Sequence, residues 1–437
     1  MTRFWYQKPV PDNFLDVLFK APAVLPSADF ASDVRKFKTF GQKTRAFTTE
    51  TFDFDGQAVP VDTYVNEFWT AKQRAAHSLH EISYRACFKP QLPRFFIERL
   101  TKPGDVVYDP FMGRGTTPME AALLGRVPYG CDINPLSLVL TGGRLRLPIL
   151  EEVAARLGEI DFTDAEEAPE DLLVFYHPET LRQISALKKY LLTQRKKKKL
   201  DALDEWISAV ALNRLTGHSP GFFSVYTLPP NQAVSAKSQR KINADRNQIP
   251  PEREVAKLIL KKSRFLLSDC DEKTRTALKS VADQALLLNK PAATTPEIPN
   301  GSVSLVVTSP PFLDVVDYAG DNWLRCWFLG IDPTSVKLTV PKQVEKWQEA
   351  MTAVFHELAR VLKPGGHVAF EVGEVKAGKI KLEEAVVPCG MAAGLKPELI
   401  LINDQKFTKT ANCWGVDNNA KGTNTNRIVV FRKDTAD

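Results

Sequence analysis

A proline-stiffened turn follows a short apolar strand in the second half of the chain. The strand is predicted over Ser302–Thr308, where β-branched residues predominate, and it stops at Ser309, Pro310, Pro311 and Phe312. Two consecutive prolines cannot continue a central strand, and they hold the residue before them near extended geometry. The turn offers carbonyl and hydroxyl oxygens as acceptors beside an aromatic ring. This combination suits a flat group that carries an NH₂.

A second candidate site lies between residues 105 and 137. The predicted order is a strand (Val106–Asp109), a glycine-containing turn (Pro110–Thr117), a helix (Pro118–Leu124) and a second strand (Val127–Asp132). This is half of a nucleotide-binding α/β unit, in which glycines let the backbone approach a ligand at a helix N-terminus. The spacing lacks the third glycine of the dinucleotide fingerprint, and it is not that of a triphosphate-binding loop.

Acidic residues end both strands of this unit. Asp109 closes the first strand, and Asp132 stands at the end of the second, where such folds bind a ribose diol. An acidic turn suits a cationic ligand better than a pyrophosphate. The sulfonium and ammonium groups of S-adenosylmethionine meet that requirement, so the sequence favours S-adenosylmethionine as the cofactor.

The two motifs together resemble those of the DNA amino-methyltransferases, which methylate exocyclic nitrogens. That family has D-P-F-x-G-x-G-T-T for the cofactor and [S/D/N]-P-P-[Y/F/W] for catalysis, and this chain has D-P-F-M-G-R-G-T-T and S-P-P-F. Serine in the first position of the second motif resembles the cytosine-N4 branch. Similar segments are also found at Phe88–Leu100, Arg360–Val375 and Gly422–Arg432. The resemblance implies an α/β fold, namely a Rossmann-like class I methyltransferase sheet with helices on both faces.

The resemblance also implies roles for individual residues. The expected catalytic residues are Ser309, Pro310, Pro311 and Phe312. The expected cofactor-binding residues are Lys89, Pro90, Asp109, Pro110, Phe111, Gly113, Gly115, Thr116, Thr117, Asp132, Ile133, Asn134 and Asp283. The last of these ends Thr276–Asp283, which is predicted as the third strand of the sheet, and its carboxylate would meet the adenine amino group.

Residues 151–276 are predicted as an inserted, mainly helical target-recognition region. Between His177 and Arg275 there are twenty Lys and Arg residues against ten Asp and Glu, a net charge of +10 in a chain whose net charge is +6. Such a concentration of positive charge is typical of a surface that contacts phosphates. Helical periods occur at Glu151–Ile160, Pro178–Leu192, Leu203–Leu215 and Arg253–Leu267. The candidate DNA-binding residues are Arg195, Lys196, Lys197, Lys198, Lys199, His218, Lys237, Arg240 and Lys241.

The rest of the chain divides into residues 1–75, predicted as an N-terminal extension, and residues 76–150 with 277–437, predicted as the catalytic domain. An Asp55-Gly56 turn between alternating apolar residues predicts a hairpin in the extension. Six scattered cysteines without a C-x-x-C, no apolar leader and no long apolar run predict a cytoplasmic protein. His77 and His80 lack a third ligand, so no metal is expected.

The predicted reaction is direct methyl transfer to the N4 atom of cytosine in a specific duplex site, after base flipping. Ser309 Oγ and the Pro310 carbonyl would accept hydrogen bonds from the amine, and Phe312 would stack on the base. A Pro-Cys nucleophile is absent from this turn, which argues against carbon-5 methylation. An adenine-N6 DNA methyltransferase, an RNA amino-methyltransferase and a catalytically silent DNA-binding homologue remain alternatives. The implied partners are double-stranded DNA and a cognate restriction endonuclease.

Overall fold

A central sheet organises the part of the chain that the computed structural model describes, which comprises residues 29–39, 42–69, 76–84, 87–227, 234–311, 318–336, 341, 343–372, 374–375, 380–404 and 425–435. The strands are β1 (Lys38–Thr39), β2 (Gln42–Lys43), β3 (Arg45–Phe52), β4 (Ala58–Asn66), β5 (Val106–Asp109), β6 (Val127–Cys131), β7 (Leu286–Leu288), β8 (Val303–Thr308), β9 (Leu362–Val372), β10 (Glu374–Val375), β11 (Ile380–Lys381), β12 (Lys396–Asp404) and β13 (Thr425–Arg432).

The large sheet has nine strands in the order β3-β4-β12-β13-β9-β8-β5-β6-β7. From β9 to β7 every neighbouring pair is parallel. Strand β13 runs antiparallel to both of its neighbours, β9 and β12. The carboxyl ends of β5, β6, β7, β8 and β9 therefore meet at one edge of the sheet, which is where open α/β sheets bind their ligands.

Helices cover both faces of this sheet. They are α1 (Phe30–Lys36), α2 (Gln91–Leu100), α3 (Thr116–Leu123), α4 (Pro135–Leu145), α5 (Leu150–Glu159), α6 (Pro178–Lys196), α7 (Ala202–Leu212), α8 (Ala236–Asp245), α9 (Val255–Leu266), α10 (Glu272–Ala282), α11 (Tyr318–Leu329), α12 (Val344–Val361) and α13 (Leu382–Ala392). No helix within the described ranges is both long enough and apolar enough to cross a membrane.

The central strands are buried on both faces, as expected of a parallel sheet between two helix layers. All six residues of β8 are buried, which explains its continuous run of apolar and small side chains. Alternate residues belong to different cores: Leu305 and Val307 pack with apolar side chains of α1 and α2, and Val306 packs with those of α12 and α13. The predominantly apolar sequence of β8 therefore follows from its position at the centre of the sheet.

The predicted hairpin in the N-terminal region is present, and it continues the large sheet. Strands β3 and β4 pair antiparallel around the turn at Gly56, whose φ of +80° favours glycine. Strand β4 in turn pairs parallel with β12 from the other end of the chain. Residues 45–66 are therefore an integral edge of the sheet, and the side chain of Asn403 on β12 accepts hydrogen bonds from the backbone of Phe68 and Trp69.

The prediction that Thr276–Asp283 forms the third strand is wrong, because most of this segment lies in α10. Asp271 caps the helix by accepting a hydrogen bond from the Thr274 amide, and the buried Leu278, Val281 and Ala282 have helical spacing. The third strand is β7, which follows the helix and is only three residues long. Asp283 instead caps the end of α10, with its side chain exposed and paired to Arg146.

The inserted region is helical as predicted, but it is not a separate module. It comprises α5 to α9, of which α8 has no counterpart among the predicted helical periods. Helix α7 lies against α4 so closely that a Cβ atom on Gly143 would stand 2.5 Å from the Glu205 carbonyl oxygen. Trp206 on α7 is fully buried and donates to the Ser263 hydroxyl on α9 at 2.9 Å. The insertion and the cofactor half thus share one core.

Candidate active site

The turn after β5 is joined to the end of β8 by a buried carboxyl group. Asp109 is 1% exposed, and its Oδ1 accepts hydrogen bonds from the Phe111 amide at 3.0 Å and from the Thr308 hydroxyl at 2.6 Å. A second link runs from the Thr117 hydroxyl to the Val307 carbonyl at 3.0 Å. Since Thr308 immediately precedes Ser309, the two sequence motifs meet at one edge of the sheet.

Burial dominates the electrostatics of Asp109. It raises the pKa of this carboxyl to about 7, even though the hydrogen bonds from Thr308 and Phe111 favour the charged form. Burial also raises the pKa of Asp132, which is opposed by hydrogen bonds from the Asn134 and Gly113 amides. The two acids differ in position: Asp109 is inside the protein, and Asp132 is half-buried at the edge of the sheet.

The glycine turn brings the backbone of Gly113 against Asp132. The Gly113 amide donates to Asp132 Oδ2 at 2.8 Å, and the Asn134 amide donates to Oδ1 at 2.8 Å. Gly113 and Gly115 have φ values of +51° and +76°, and a Cβ on Gly115 would collide with Thr141 of α4. Glycine is therefore required at Gly115 by both backbone geometry and packing.

Most of the predicted cofactor-binding residues lie together at this edge. The residues at the ends of β5 and β6 and at the start of α3 are Asp109, Pro110, Phe111, Gly113, Gly115, Thr116, Thr117, Asp132, Ile133 and Asn134. Lys89 is half-buried before α2, beside Pro90, and burial together with the nearby Arg114 lowers its pKa. Asp283 does not belong to this group, because it lies at the end of α10.

Asn289 occupies the position at which an acid was expected from the third strand. It follows β7 directly, and its Nδ2 donates to the carbonyl oxygens of Asp132 and Ile133, at 2.9 Å in each case. The three leucines before it form β7, in which Leu288 is buried and the other two are half-buried. A strand of three residues is too short for a period-2 pattern to reveal it.

Tyr84 was not identified by the sequence pattern, yet it lies against the glycine turn. Its ring is 3.5 Å from the point where a Cβ on Gly113 would be, and its hydroxyl accepts a hydrogen bond from Asn134 Nδ2 at 2.7 Å. Burial raises the pKa of Tyr84, with a further contribution from Asp132.

The proline corner after β8 is described as far as Pro311, and Phe312 lies outside the described residues. Ser309 is half-buried and Pro310 is buried. The indole Nε1 of the buried Trp347 donates to the Pro311 carbonyl at 3.2 Å, which fixes the corner to α12.

Glu371 and Asn426 stand beside this corner, and neither was identified from the sequence. Thr308 pairs with Phe370 across β8 and β9, so the next residue of each strand, Ser309 and Glu371, come together. Asn426 Nδ2 on β13 donates a hydrogen bond to Glu371 Oε1 at 2.6 Å, and the neighbouring Ser309 hydroxyl acts to lower the pKa of this carboxyl. Burial raises the pKa of Glu371. A charged residue within V-A-F-E-V was the sequence signal.

The basic run of the insertion begins in the last turn of α6 and continues beyond it. Lys196, Lys197, Lys198 and Lys199 are all exposed. Arg195 is half-buried and donates to the Leu329 carbonyl at 3.2 Å, so it joins α6 to α11. The charged groups of the four lysines thus face solvent, whereas the guanidinium of Arg195 is hydrogen-bonded within the protein.

The remaining basic candidates lie on or before α8. Lys237, Arg240 and Lys241 are exposed at helical spacing on one side of α8, and Arg240 forms an ion pair with Asp171. His218 is exposed in the preceding loop, and its ring centroid is 6.2 Å from that of Phe222. These residues and the lysine run belong to different helices of the insertion.

The strand order, with the glycine turn after β5, is that of a Rossmann-like class I methyltransferase fold. Seven strands, β7-β6-β5-β8-β9-β13-β12, form its sheet with β13 reversed, and the glycine turn follows the first strand of the cofactor half. Residues 16–138 match the family model described as DNA methylase, which takes its name from N6 and N4 enzymes. The match covers a little over a quarter of the chain.

Individual relatives are similar over part of the chain. The type II methyltransferase M.BsoBI of Geobacillus stearothermophilus is 24% identical over 313 residues, which is 63% of this chain and 57% of that protein. M.MvaI of Kocuria varians is 33% identical over 117 residues, covering 26% of this chain and 24% of its own. The chain thus spans a little over half the length of the first of these relatives.

A solved structure of TrmN from Thermus thermophilus aligns over 80% of this chain and 50% of its own, at 13% identity and a TM-score of 0.29. Because that score is low, the fold assignment rests on the strand order.

The raised pKa of Asp109 predicts a pH-dependent stability. Between about pH 4 and pH 7 the folded protein keeps a proton that the unfolded chain releases, so the free energy of unfolding should fall as pH rises, by up to about 4 kcal/mol. Asp109→Asn does not titrate and should lack this part of the slope. Urea denaturation across this range measures the effect. Asp283→Asn, at an exposed site, should keep the wild-type slope; identical slopes for all three proteins would mean that Asp109 is charged throughout.

Proposed function

We propose that the chain is an S-adenosylmethionine-dependent DNA methyltransferase that methylates the N4 amino group of cytosine within a specific duplex site. The observation that carries this proposal is that Ser309 and Glu371 are adjacent at the carboxyl ends of β8 and β9, next to the acidic turn that holds Asp109 and Asp132. A hydroxyl that can accept from an amine therefore lies beside the turn proposed to bind the cofactor.

The residues of the turn fit S-adenosylmethionine better than a phosphate-bearing cofactor. The Asp132 carboxylate has one backbone donor on each oxygen, and the lone pairs that remain can accept from a ribose diol. The guanidinium of Arg114, the one cation within the turn, is engaged with the Ile82 carbonyl and the Thr116 hydroxyl. When bound, S-adenosylmethionine supplies a methyl group on a positively charged sulfur.

In this proposal the Ser309 hydroxyl turns its hydrogen toward the adjacent Glu371 carboxylate. The lone pairs of Oγ are then left for the NH₂ of a base. An exocyclic amine conjugated to its ring has little free lone pair, and hydrogen bonds from its two N–H groups draw the nitrogen toward tetrahedral geometry. The same acceptors stabilise the positive charge that develops on the nitrogen as the methyl group arrives.

Glu371 provides the negative charge behind Ser309. Buried at 8% exposure, it is held by Asn426 on one oxygen, so its position is fixed before a base enters. The proton that the methylated nitrogen must release can pass through the Ser309 hydroxyl to Glu371. Burial raises the pKa of this carboxyl, which makes it a better proton acceptor than an exposed glutamate.

The basic insertion supports DNA as the substrate. The side chains of Lys196–Lys199 are exposed to solvent, so their charges are accessible to DNA phosphates. The pocket at the sheet edge would admit a base only after it leaves the duplex, so the proposal includes base flipping. Because the chain is similar to type II methyltransferases, we also propose that a cognate restriction endonuclease acts on the same site.

The methylated base can be identified by digesting DNA from cells that express the protein and analysing the nucleosides by mass spectrometry. We expect N4-methylcytosine, since Ser309 replaces the acidic or amide residue that adenine-N6 enzymes more often have. Appearance of 6-methyladenine alone would overturn the assignment of cytosine. Absence of any methylated base, together with no binding of S-adenosylmethionine in a titration, would favour the catalytically silent DNA-binding homologue.

Substitution of Ser309 and of Asp132 should affect different steps. Ser309→Ala removes an acceptor needed in the transition state, so we expect kcat to fall about 100-fold or more with little change in the Kd of S-adenosylmethionine. Asp132→Ala removes a charged acceptor for the cofactor, so we expect its Kd to rise about 10- to 100-fold. Single-turnover kinetics and calorimetry measure the two quantities. Equal effects of both variants on both quantities would contradict these roles.

Glu371→Gln should lower kcat and change its dependence on pH. In the wild type, kcat should fall as pH drops below the raised pKa of Glu371, because the protonated acid can neither balance charge nor take a proton. The glutamine variant keeps the shape of the side chain and should lose this acid limb. Glu398→Gln on β12, where a half-buried glutamate pairs with His367, is the matched control and should retain the wild-type profile. An unchanged acid limb in Glu371→Gln would exclude the proposed role.

A further inference from the structure

Residues 78–84, here named the strap, run between the insertion and the glycine turn. Their backbone carbonyls accept hydrogen bonds from cationic side chains of four separate elements. The pairs are Leu79 with Arg144 on α4, Glu81 with Lys262 on α9, Ile82 with Arg114 in the glycine turn, and Ser83 with Arg325 on α11. A single short segment thus connects the turn after β5, the insertion and the helix that follows the proline corner.

One end of the strap is fastened to the insertion. The Ser78 amide donates to Asp269 Oδ2 at 2.8 Å, and the Ser78 hydroxyl donates to the Leu266 carbonyl at 2.8 Å. Lys262 Nζ, one turn earlier on α9, donates to the Glu81 carbonyl at 2.8 Å. The end of α9 therefore sets the path of the strap.

The other end of the strap lies on the cofactor turn. Tyr84 has its ring 3.5 Å from the point where a Cβ on Gly113 would be, and its hydroxyl accepts a hydrogen bond from Asn134. The guanidinium of Arg114 donates to the Ile82 carbonyl at 2.7 Å. Gly113 in turn donates to Asp132. A displacement of the strap would therefore move Tyr84 and release a support of the turn that holds Asp132.

The surroundings of Lys262 disfavour its charged form. Burial is the main cause that lowers its pKa to about 7, and Arg214 on the adjoining loop and Arg144 on α4 lower it further. The Glu81 side chain acts in the opposite sense. Replacing the ammonium with an apolar group of similar length relieves both the desolvation and the repulsion, while it removes the hydrogen bond to Glu81.

We infer that Lys262 is a positioning residue for the cofactor pocket: by holding the Glu81 carbonyl it sets the strap so that Tyr84 packs against Gly113. The inference rests on the proposed function, because it takes S-adenosylmethionine as the ligand of that pocket. It assigns to the insertion a second task besides contact with DNA, since the pocket is then supported from α9.

The test compares Lys262→Met with Lys261→Met, its neighbour on the exposed side of α9, in the full chain. Lys262→Met should raise the Kd of S-adenosylmethionine about tenfold, the effect of one lost hydrogen bond. Lys261→Met should bind as the wild type does, and Lys262→Arg, which keeps a donor, should restore most of the affinity. The melting temperature of Lys262→Met should not fall, which separates positioning from folding.

Amide hydrogen exchange provides a second measurement of the position of the strap, and it does not require the cofactor. Peptides covering residues 79–84 and 110–117 should exchange faster in Lys262→Met than in Lys261→Met. Equal exchange and equal Kd for the two methionine variants would overturn the inference, as would a loss of affinity that follows a lowered melting temperature. If the wild type itself does not bind S-adenosylmethionine, the proposed function fails, and the exchange comparison still decides whether Lys262 positions the turn.

Discussion

The hydrogen bond between the Thr308 hydroxyl and the Asp109 carboxyl is the contact on which the site depends. It lies out of solvent, and it joins the ends of two parallel strands that carry different motifs. A buried carboxyl is costly unless it has donors, and Asp109 finds them on the neighbouring strand and on its own turn. The glycine turn and the proline corner therefore have a fixed separation, whatever the surrounding loops do.

The parts of the fold that follow local patterns could be predicted from the sequence. The run Val303–Thr308, the glycine turn after Val106–Asp109 and the hairpin around Gly56 each follow from a few adjacent residues whose types restrict the backbone. Strand β7 and helix α10 were not predicted correctly. A three-residue strand has no measurable period, and the family resemblance placed the third strand at Thr276–Asp283, although the apolar residues of that segment have helical spacing.

The candidate site was predictable in part, for a related reason. Asp109, Asp132 and Ser309 lie inside motifs, so their types and spacing point to chemistry. The register of β8 with β9 places Glu371 next to Ser309, and the register of β9 with β13 places Asn426 next to Glu371. Register is a property of the assembled sheet, and no local pattern around either residue specifies its partner.

The parallel pairing of β4 with β12 constrains how the protein acquires its structure. The amides of Phe68 and Trp69 bond to Asn403, which for Phe68 lies 335 positions along the chain. During synthesis, the edge of β4 that pairs with β12 stays without its backbone hydrogen bonds until β12 has left the ribosome. Contacts between residues so far apart in sequence form slowly. Until they form, the unpaired edge of β4 can pair with strands of other chains. Nascent chains of this protein are therefore expected to need protection by chaperones until the carboxyl-terminal strands are made.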